Sequence, residues 1–198
     1  MDLGGLRALL RRHVASDEVE RGHVARVLAL LDASPEPASR SSFQPGHLTA
    51  SAFVVSADGR SLLLIHHRRL GRWLQPGGHV DPEDADLEAA ARREVAEETG
   101  LSSVGPEPGQ AELLDVDVHE IPAHAGRGEP AHLHFDVRWM FVARGDALQA
   151  GSDVSDARWV PIDEVASWET DASVRRAVAR VRERLAADRA GDGGVGRG

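Results

Sequence analysis

The chain contains no cysteine. No disulfide can staple it, no thiolate can ligate a metal and no thiol can act as a nucleophile. No apolar run reaches the length of a membrane span. The first residues also lack the apolar core of a secretory signal, so the cytoplasm is the expected compartment. Positive charge is scarce: 23 basic residues stand against 32 acidic ones, a net charge of -9. That balance disfavours non-specific nucleic-acid binding, which needs a basic surface, so no nucleic-acid partner is expected. A polyanionic substrate would need metal ions or a local arginine cluster to approach. Aromatics are few, with four Trp and four Phe. They offer a base-stacking residue without identifying one. What is present, 198 residues with 41% hydrophobic content, suffices for one globular domain, with room for a helical extension.

One stretch organises the rest, Gly77 to Leu101: GGHVDPEDADLEAAARREVAEETGL. A glycine pair leads through an acidic loop into good helix formers, which predicts a helix over Asp86–Thr99 with Gly100 just past its end. Glu94, Glu97 and Glu98 stand at i, i+3 and i+4, on one helix face. Ala90 and Ala91 sit beside them, small enough for a close neighbour. Like charges on one face repel, and a solvated face usually relieves this with a cation one turn on. Arg93 flanks the cluster but no cation lies inside it. A divalent ion would provide the relief, and clustered carboxylate oxygens suit Mg2+ or Mn2+.

This stretch resembles the signature of the Nudix hydrolases: Gly, five residues, Glu, seven residues, then Arg-Glu-apolar-x-Glu-Glu-x-Gly-apolar. The second half matches from Arg93 to Leu101 without error. The first half carries one extra residue between Gly78 and Arg93. Counted forward the family's Glu falls on Asp84, and counted back it falls on Ala85. An inserted loop residue would let Asp84 supply that carboxylate. The resemblance implies an α/β fold, a Nudix-type α/β/α sandwich with a mixed sheet. It also implies that a backbone carbonyl near the glycine pair, carried over to Gly78, is a metal ligand beside Glu94, Glu97 and Glu98.

Before the box, residues 1–33 read as two amphipathic helices, with Ser16 or Asp17 capping the second. They are expected to form a structural extension on the core, or a homodimer contact. Residues 34–46 are a Pro/Ser-rich linker and 47–188 the Nudix domain, followed by a flexible tail over 189–198. Leu48–Ala57 and Ser61–His67 read as strands around an Asp58-Gly59 turn. The following HHRRLGR holds the densest basic patch. Arg69 and Arg72 within it are candidates for substrate phosphates, because guanidinium forks suit phosphate oxygens. Trp73 and Leu74 are expected in the core.

After the box, Ala111–Ile121 reads as a strand and Pro122–Pro130 as a loop with Glu129. His132–Val142 alternates clearly. Leu133, Phe135, Val137, Trp139 and Phe141 point one way; His132, His134, Asp136, Arg138 and Met140 point the other. The polar side is either a partly exposed sheet face or a substrate or metal wall facing the box helix. Histidines at i and i+2 on a strand can chelate a metal, but spacing shows no third ligand. Hydrogen bonding or proton handling by His132, His134 and Arg138 near a phosphate is the preferred role. Arg158-Trp159-Val160-Pro161 resembles the family's Trp-x-Pro strand end, followed by a short helix over Ile162–Ser167. An amphipathic helix is expected over Asp171–Ala187.

The chemistry implied by the resemblance is hydrolysis of a diphosphate linkage in a nucleotide, through in-line attack by an activated water. Such transfers demand charge neutralisation and alignment. Glu94 is the first candidate base, Glu129 the loop alternative, and Arg93 is expected to orient a box glutamate. Subfamily marks are absent: no Tyr follows the box, and Val116 stands where ADP-ribose hydrolases tend to have Pro. Modified nucleoside triphosphates remain among the substrates. A nucleotide-binding sensor of the same fold without turnover is the alternative, and the intact glutamates oppose it. Isoprenoid diphosphate isomerisation relies on a catalytic Cys, which the chain lacks.

Overall fold

The structure, a computed structural model, describes residues 1–192. Two helices open the chain, α1 (Leu3–Arg12) and α2 (Glu18–Ala33). Asp2 and Asp17 cap them by accepting from the amides of Gly5 and Glu20. Then follow β1 (Gly46–Val55), β2 (Ser61–His67), β3 (Arg72–Leu74) and β4 (Gly77–His79). The box helix α3 spans Leu87–Thr99, with β5 (Val104–Gly105), β6 (Leu113–Ile121), β7 (His132–Ala143) and β8 (Val154–Pro161) after it. The closing helix α4 spans Ala172–Asp192.

The eight strands form one mixed sheet with β1 near its centre. β1 runs parallel to β7 over its whole length, from Gly46 opposite Leu133 to Val55 opposite Val142. On its other edge it pairs antiparallel with β2 and β4. β6 and β5 extend the sheet beyond β7, and β3 and β8 flank β2. All ten residues of β1 are buried, which is what a strand covered on both faces requires.

Paired residues share a face, so the register sorts the core into two layers. Leu48, Ala50, Ala52 and Val54 meet Phe135, Val137, Trp139 and Phe141, and α1, α2 and α3 cover them with Leu6, Leu10, Val27, Leu30, Ala90, Ala91 and Val95. On the other face Phe53, Val55, Leu62, Leu64 and Leu114 pack beneath Val174, Ala177, Val178 and Val181 of α4. The result is the α/β/α sandwich that the resemblance implied. The N-terminal helices share the α3 core.

Several boundaries differ from the sequence reading. β1 begins at Gly46, because Leu48 N–H donates to Pro37 O (2.7 Å) and Leu133 N–H to Pro45 O (2.9 Å), which draws the connector onto the sheet. Residues 162–167 hold only a 3-10 turn over Val165–Ser167. Helix α4 continues to Asp192, so the expected flexible tail begins inside it, and residues 193–198 lie outside the described residues. Trp73 and Leu74 are half-buried at the rim of the α4-side core, where Trp73 meets Trp168 edge-on at 4.7 Å. Among the described residues no helix is long and apolar enough to cross a membrane.

Candidate active site

The box helix starts and stops where its caps dictate. Asp86 accepts from the amide of Ala89 at 2.8 Å, and Gly100 ends the helix in the left-handed region (φ 72°), where glycine carries no Cβ penalty. Ala90, Ala91 and Val95 press into the sheet. Glu94 and Glu98 stand beside them on the helix, against Gly78 and Gly77 of β4.

Their environments differ. Glu98 is 9% exposed and accepts from Gly77 N–H at 2.9 Å. Burial, reinforced by Glu94, Asp153 and Glu97, pushes its carboxyl up to about 8 in spite of the bond from Gly77. Burial also raises Glu94, and Arg93 offsets part of that rise. Glu97 is the exposed member, its side chain 58% accessible. Gly78 lies against Glu94: a Cβ there would stand 2.7 Å from Glu94 Oε1, so a side chain at this position would displace the Glu94 carboxylate.

Arg93 ties the cluster together. Its guanidinium donates to both oxygens of Asp84 (3.1 and 3.0 Å), to Glu94 Oε1 (3.0 Å), to Glu97 Oε2 (3.0 Å) and to His79 O (2.9 Å). Arg93, expected to orient a box glutamate, bonds both Glu94 and Glu97. Asp84 also accepts from Asp81 N–H at 2.8 Å, closing the loop ahead of the helix. The extra loop residue is thus absorbed, and Asp84 reaches Arg93 as a two-pronged carboxylate partner. Bonds from Arg93 and Asp81 hold its carboxyl below the usual range although burial opposes them.

The polar side of β7 does not face the box helix. Phe135, Val137, Trp139 and Phe141 already occupy the side covered by α3, so strand alternation sends His132, His134, Asp136 and Arg138 to the opposite side. This corrects the expectation of a wall facing α3. The polar positions align with their neighbours in rows: His47, His134 and His119; Thr49, Asp136 and Asp117; Ser51, Arg138 and Asp115.

Arg138 is 2% exposed and committed within this face. It donates to Asp136 (2.7 Å), Asp115 (3.0 Å), Asp117 (3.2 Å) and the Ser173 hydroxyl (3.1 Å). Arg176 from α4 donates to Asp115 and Asp117 at 3.0 Å each. Thr49 and Ser51 hydroxyls donate to Asp136 at 3.1 and 2.8 Å. The structure therefore places Arg138 in a buried ionic knot rather than at a substrate phosphate, a second correction. Four of the five guanidinium N–H donors are thereby engaged with three aspartates and Ser173. Arg69 and Arg72, by contrast, are exposed around the β2–β3 turn.

His132 and His134 join His47, and His79 stands beside them, its ring 5.1 and 5.2 Å from those of His47 and His134. Burial and the neighbouring rings lower His134 to about 2 and His79 to about 4, and burial lowers His47. All three are neutral imidazoles at ordinary pH. Sequence spacing missed His47, because only the β1–β7 register sets it opposite His134. Asp115 and Asp117 are brought in by the β6–β7 register, and Arg176 by the packing of α4, neither of which spacing within one segment shows.

The chain is similar to known proteins. A family model described as "NUDIX domain" matches residues 45–181. The chain is 34% identical over 93 residues to the "Probable DHNTP pyrophosphohydrolase" of Lactococcus lactis subsp. cremoris, covering 47% of this chain and 52% of that protein. It is 55% identical over 49 residues to the RNA pyrophosphohydrolase of Caulobacter vibrioides, covering 24% of this chain and 28% of that protein. The chain thus spans about half or less of the length of these curated relatives. Among solved structures, the NUDIX domain of Shewanella oneidensis NrtR complexed with ADP ribose aligns with a TM-score of 0.54 and 26% identity, over 81% of this chain and 97% of that one.

Proposed function

Because the chain belongs to the NUDIX family, we propose that it hydrolyses a diphosphate linkage in a nucleoside diphosphate derivative or a nucleoside triphosphate, with Mg2+ or Mn2+ as cofactor. The observation that carries this reading is the carboxylate cluster at the end of α3, which gathers Glu94, Glu97 and Glu98 with Arg93 as the cation bonded to it. The donor type suits a hard divalent ion; among the described residues the three carboxylates do not bring one oxygen each within 4.8 Å of one another, so their side chains would have to close around it. The three carboxylates and the carbonyl of Gly78 offer only oxygen, and burial has left two of the carboxyls with raised proton affinity that a cation relieves. When bound, such an ion neutralises phosphate oxygens and lowers the pKa of water.

The chain's own side chains do the rest. Arg93, braced by Asp84, fixes the rotamers of Glu94 and Glu97. Gly77 N–H fixes Glu98. Burial raises the Glu94 carboxyl above its ordinary range, which makes it a stronger base towards the proton of an attacking water. Glu97 stays exposed on the solvent side, where a substrate enters. Arg69 and Arg72, exposed and without side-chain bonds among the described residues, supply guanidinium groups for outlying phosphate oxygens. The catalytic unit of this proposal is residues 47–188, joined through 34–46 to the helical extension 1–33.

The test is a substrate panel with Mg2+ or Mn2+, scored by released phosphate or monophosphate. ADP ribose, DHNTP, a pyrophosphate-bearing RNA and modified nucleoside triphosphates belong on it, since the relatives' names point to them. Metal-dependent turnover of one compound, lost by orders of magnitude in Glu97→Gln, is the expected result. Near-normal turnover by that variant at saturating Mg2+ sinks the proposal. Nucleotide binding without any turnover favours the sensor alternative.

A further inference from the structure

The polar face of the sheet carries a second donor set, built of nitrogen instead of oxygen. His47 on β1 and His132 and His134 on β7 bring one ring nitrogen each to within 4.8 Å of one another. Two of the three rings are oriented by backbone carbonyls. His47 Nδ1–H donates to Ser42 O at 3.1 Å, and His132 Nδ1–H donates to Pro130 O at 2.8 Å. A carbonyl only accepts, so both rings must carry their proton on Nδ1 and present the Nε2 lone pair. His47 Nε2 is fully buried and has no hydrogen-bond partner among the described residues. A buried imidazole nitrogen without a partner costs free energy unless something occupies its lone pair.

A carbonyl behind each imidazole is the arrangement that supports a metal-bound histidine, since it fixes the tautomer and raises ligand basicity. The surroundings are also suited. The three rings pack closely, with centroids 4.9 to 5.2 Å apart. Phe43 closes one side edge-on to His132 at 5.0 Å. His134 is only partly buried and leaves an entrance. Tetrahedral zinc bonded at about 2.0–2.1 Å needs its nitrogens roughly 3.3 Å apart, so the three rings would have to draw together from the present limit of 4.8 Å.

We propose that His47, His132 and His134 form a binding site for a transition-metal ion of the zinc class, separate from the glutamate cluster. Neutral imidazoles select Zn2+ and its neighbours over Mg2+, whereas the carboxylate cluster favours the harder ion. The two sites lie on opposite sides of β4. Gly78 faces Glu94 on the α3 side, and the next residue, His79, turns its ring towards the histidines. A fourth position falls to water or to His79. The bound ion would bridge β1 and β7, two rows along the sheet from Arg138.

The experiment is a Zn2+ titration of the metal-stripped full chain against a chromophoric competing chelator, with millimolar Mg2+ present to fill the oxygen site. One tight equivalent is expected. His132→Asn and His134→Asn should each weaken it by more than the roughly 10–100-fold that loss of an outer partner costs. Glu98→Gln should leave it unchanged. Nitrogen-15 shifts of the histidine side chains give a second measurement on the unaltered chain, since Zn2+ must move Nε2 of His47 and His132. Absence of a tight equivalent under Mg2+, or one that survives both histidine variants, overturns the site. So does loss of binding in Glu98→Gln with the histidine shifts unmoved by Zn2+.

Discussion

Replacing Glu98 with Gln isolates the charge at the least exposed of the three glutamates. Glutamine is nearly isosteric, and its side-chain oxygen can still accept from Gly77 N–H, so the fold is expected to survive. The native carboxyl is pushed up to about 8 from an ordinary 4.5. In the absence of metal the folded chain therefore binds more protons than the unfolded chain between those two values. Stability is full below about pH 4.5 and falls as pH rises through about 8. The slope is about 1.4 kcal/mol per pH unit, and the loss reaches at most about 5 kcal/mol once the group is ionised. The variant has no such group. Urea unfolding in EDTA at a series of pH values should show the variant gaining on the native chain from pH 5 to 9. Millimolar Mg2+ should then recover the native chain and leave the variant little changed, while turnover of the variant falls by orders of magnitude. Parallel stability curves for the two chains would refute the claim that burial of Glu98 strains the metal-free site.

Three further outcomes follow from named contacts. Arg138→Met removes the only guanidinium among the described residues that reaches all of Asp115, Asp117 and Asp136. It should cost about 3–5 kcal/mol in urea unfolding, against under about 1 kcal/mol for the exposed Arg158→Ala. Glu20 is fully buried and lowered to about 2 by its bonds from His13 and Ser16, which outweigh the opposing effect of burial. Its stabilisation is present above about pH 4.5 and is lost as pH falls through about 2. Glu20→Gln should lower stability by on the order of 3 kcal/mol at pH 7 and by far less at pH 2, read as the difference between two urea curves. Asp84→Asn weakens the brace on Arg93, so it should reduce turnover roughly 10–100-fold with only a small change in melting temperature. Steady-state rates across a Mg2+ titration would show it, and an unchanged rate would mean that Arg93 holds Glu94 and Glu97 unaided.

The sequence alone determined the elements whose cause is local. The box helix was legible because Asp86 and Gly100 cap it and because Ala90, Ala91 and Val95 repeat at helical spacing. The carboxylate face was legible for the same reason: residues three and four apart on a helix must be neighbours. Strand alternation in β7 was equally plain, since Phe135, Val137 and Trp139 bury one side whatever lies opposite. Tertiary structure alone decided what each of these faces meets. Which side of the sheet α3 covers depends on strand order, and that sent His132 to Arg138 away from the box. The partners of Arg138 come from β6 and α4, and the third histidine comes from β1 through a parallel register. Such pairings join segments far apart in the chain, and the pattern within either segment carries no record of its partner. The extra residue before Arg93 shows the same division. The sequence displayed the insertion, but only the folded loop showed that Asp84 still reaches Arg93 with both oxygens, because a carboxylate one methylene shorter can be brought forward by a longer loop.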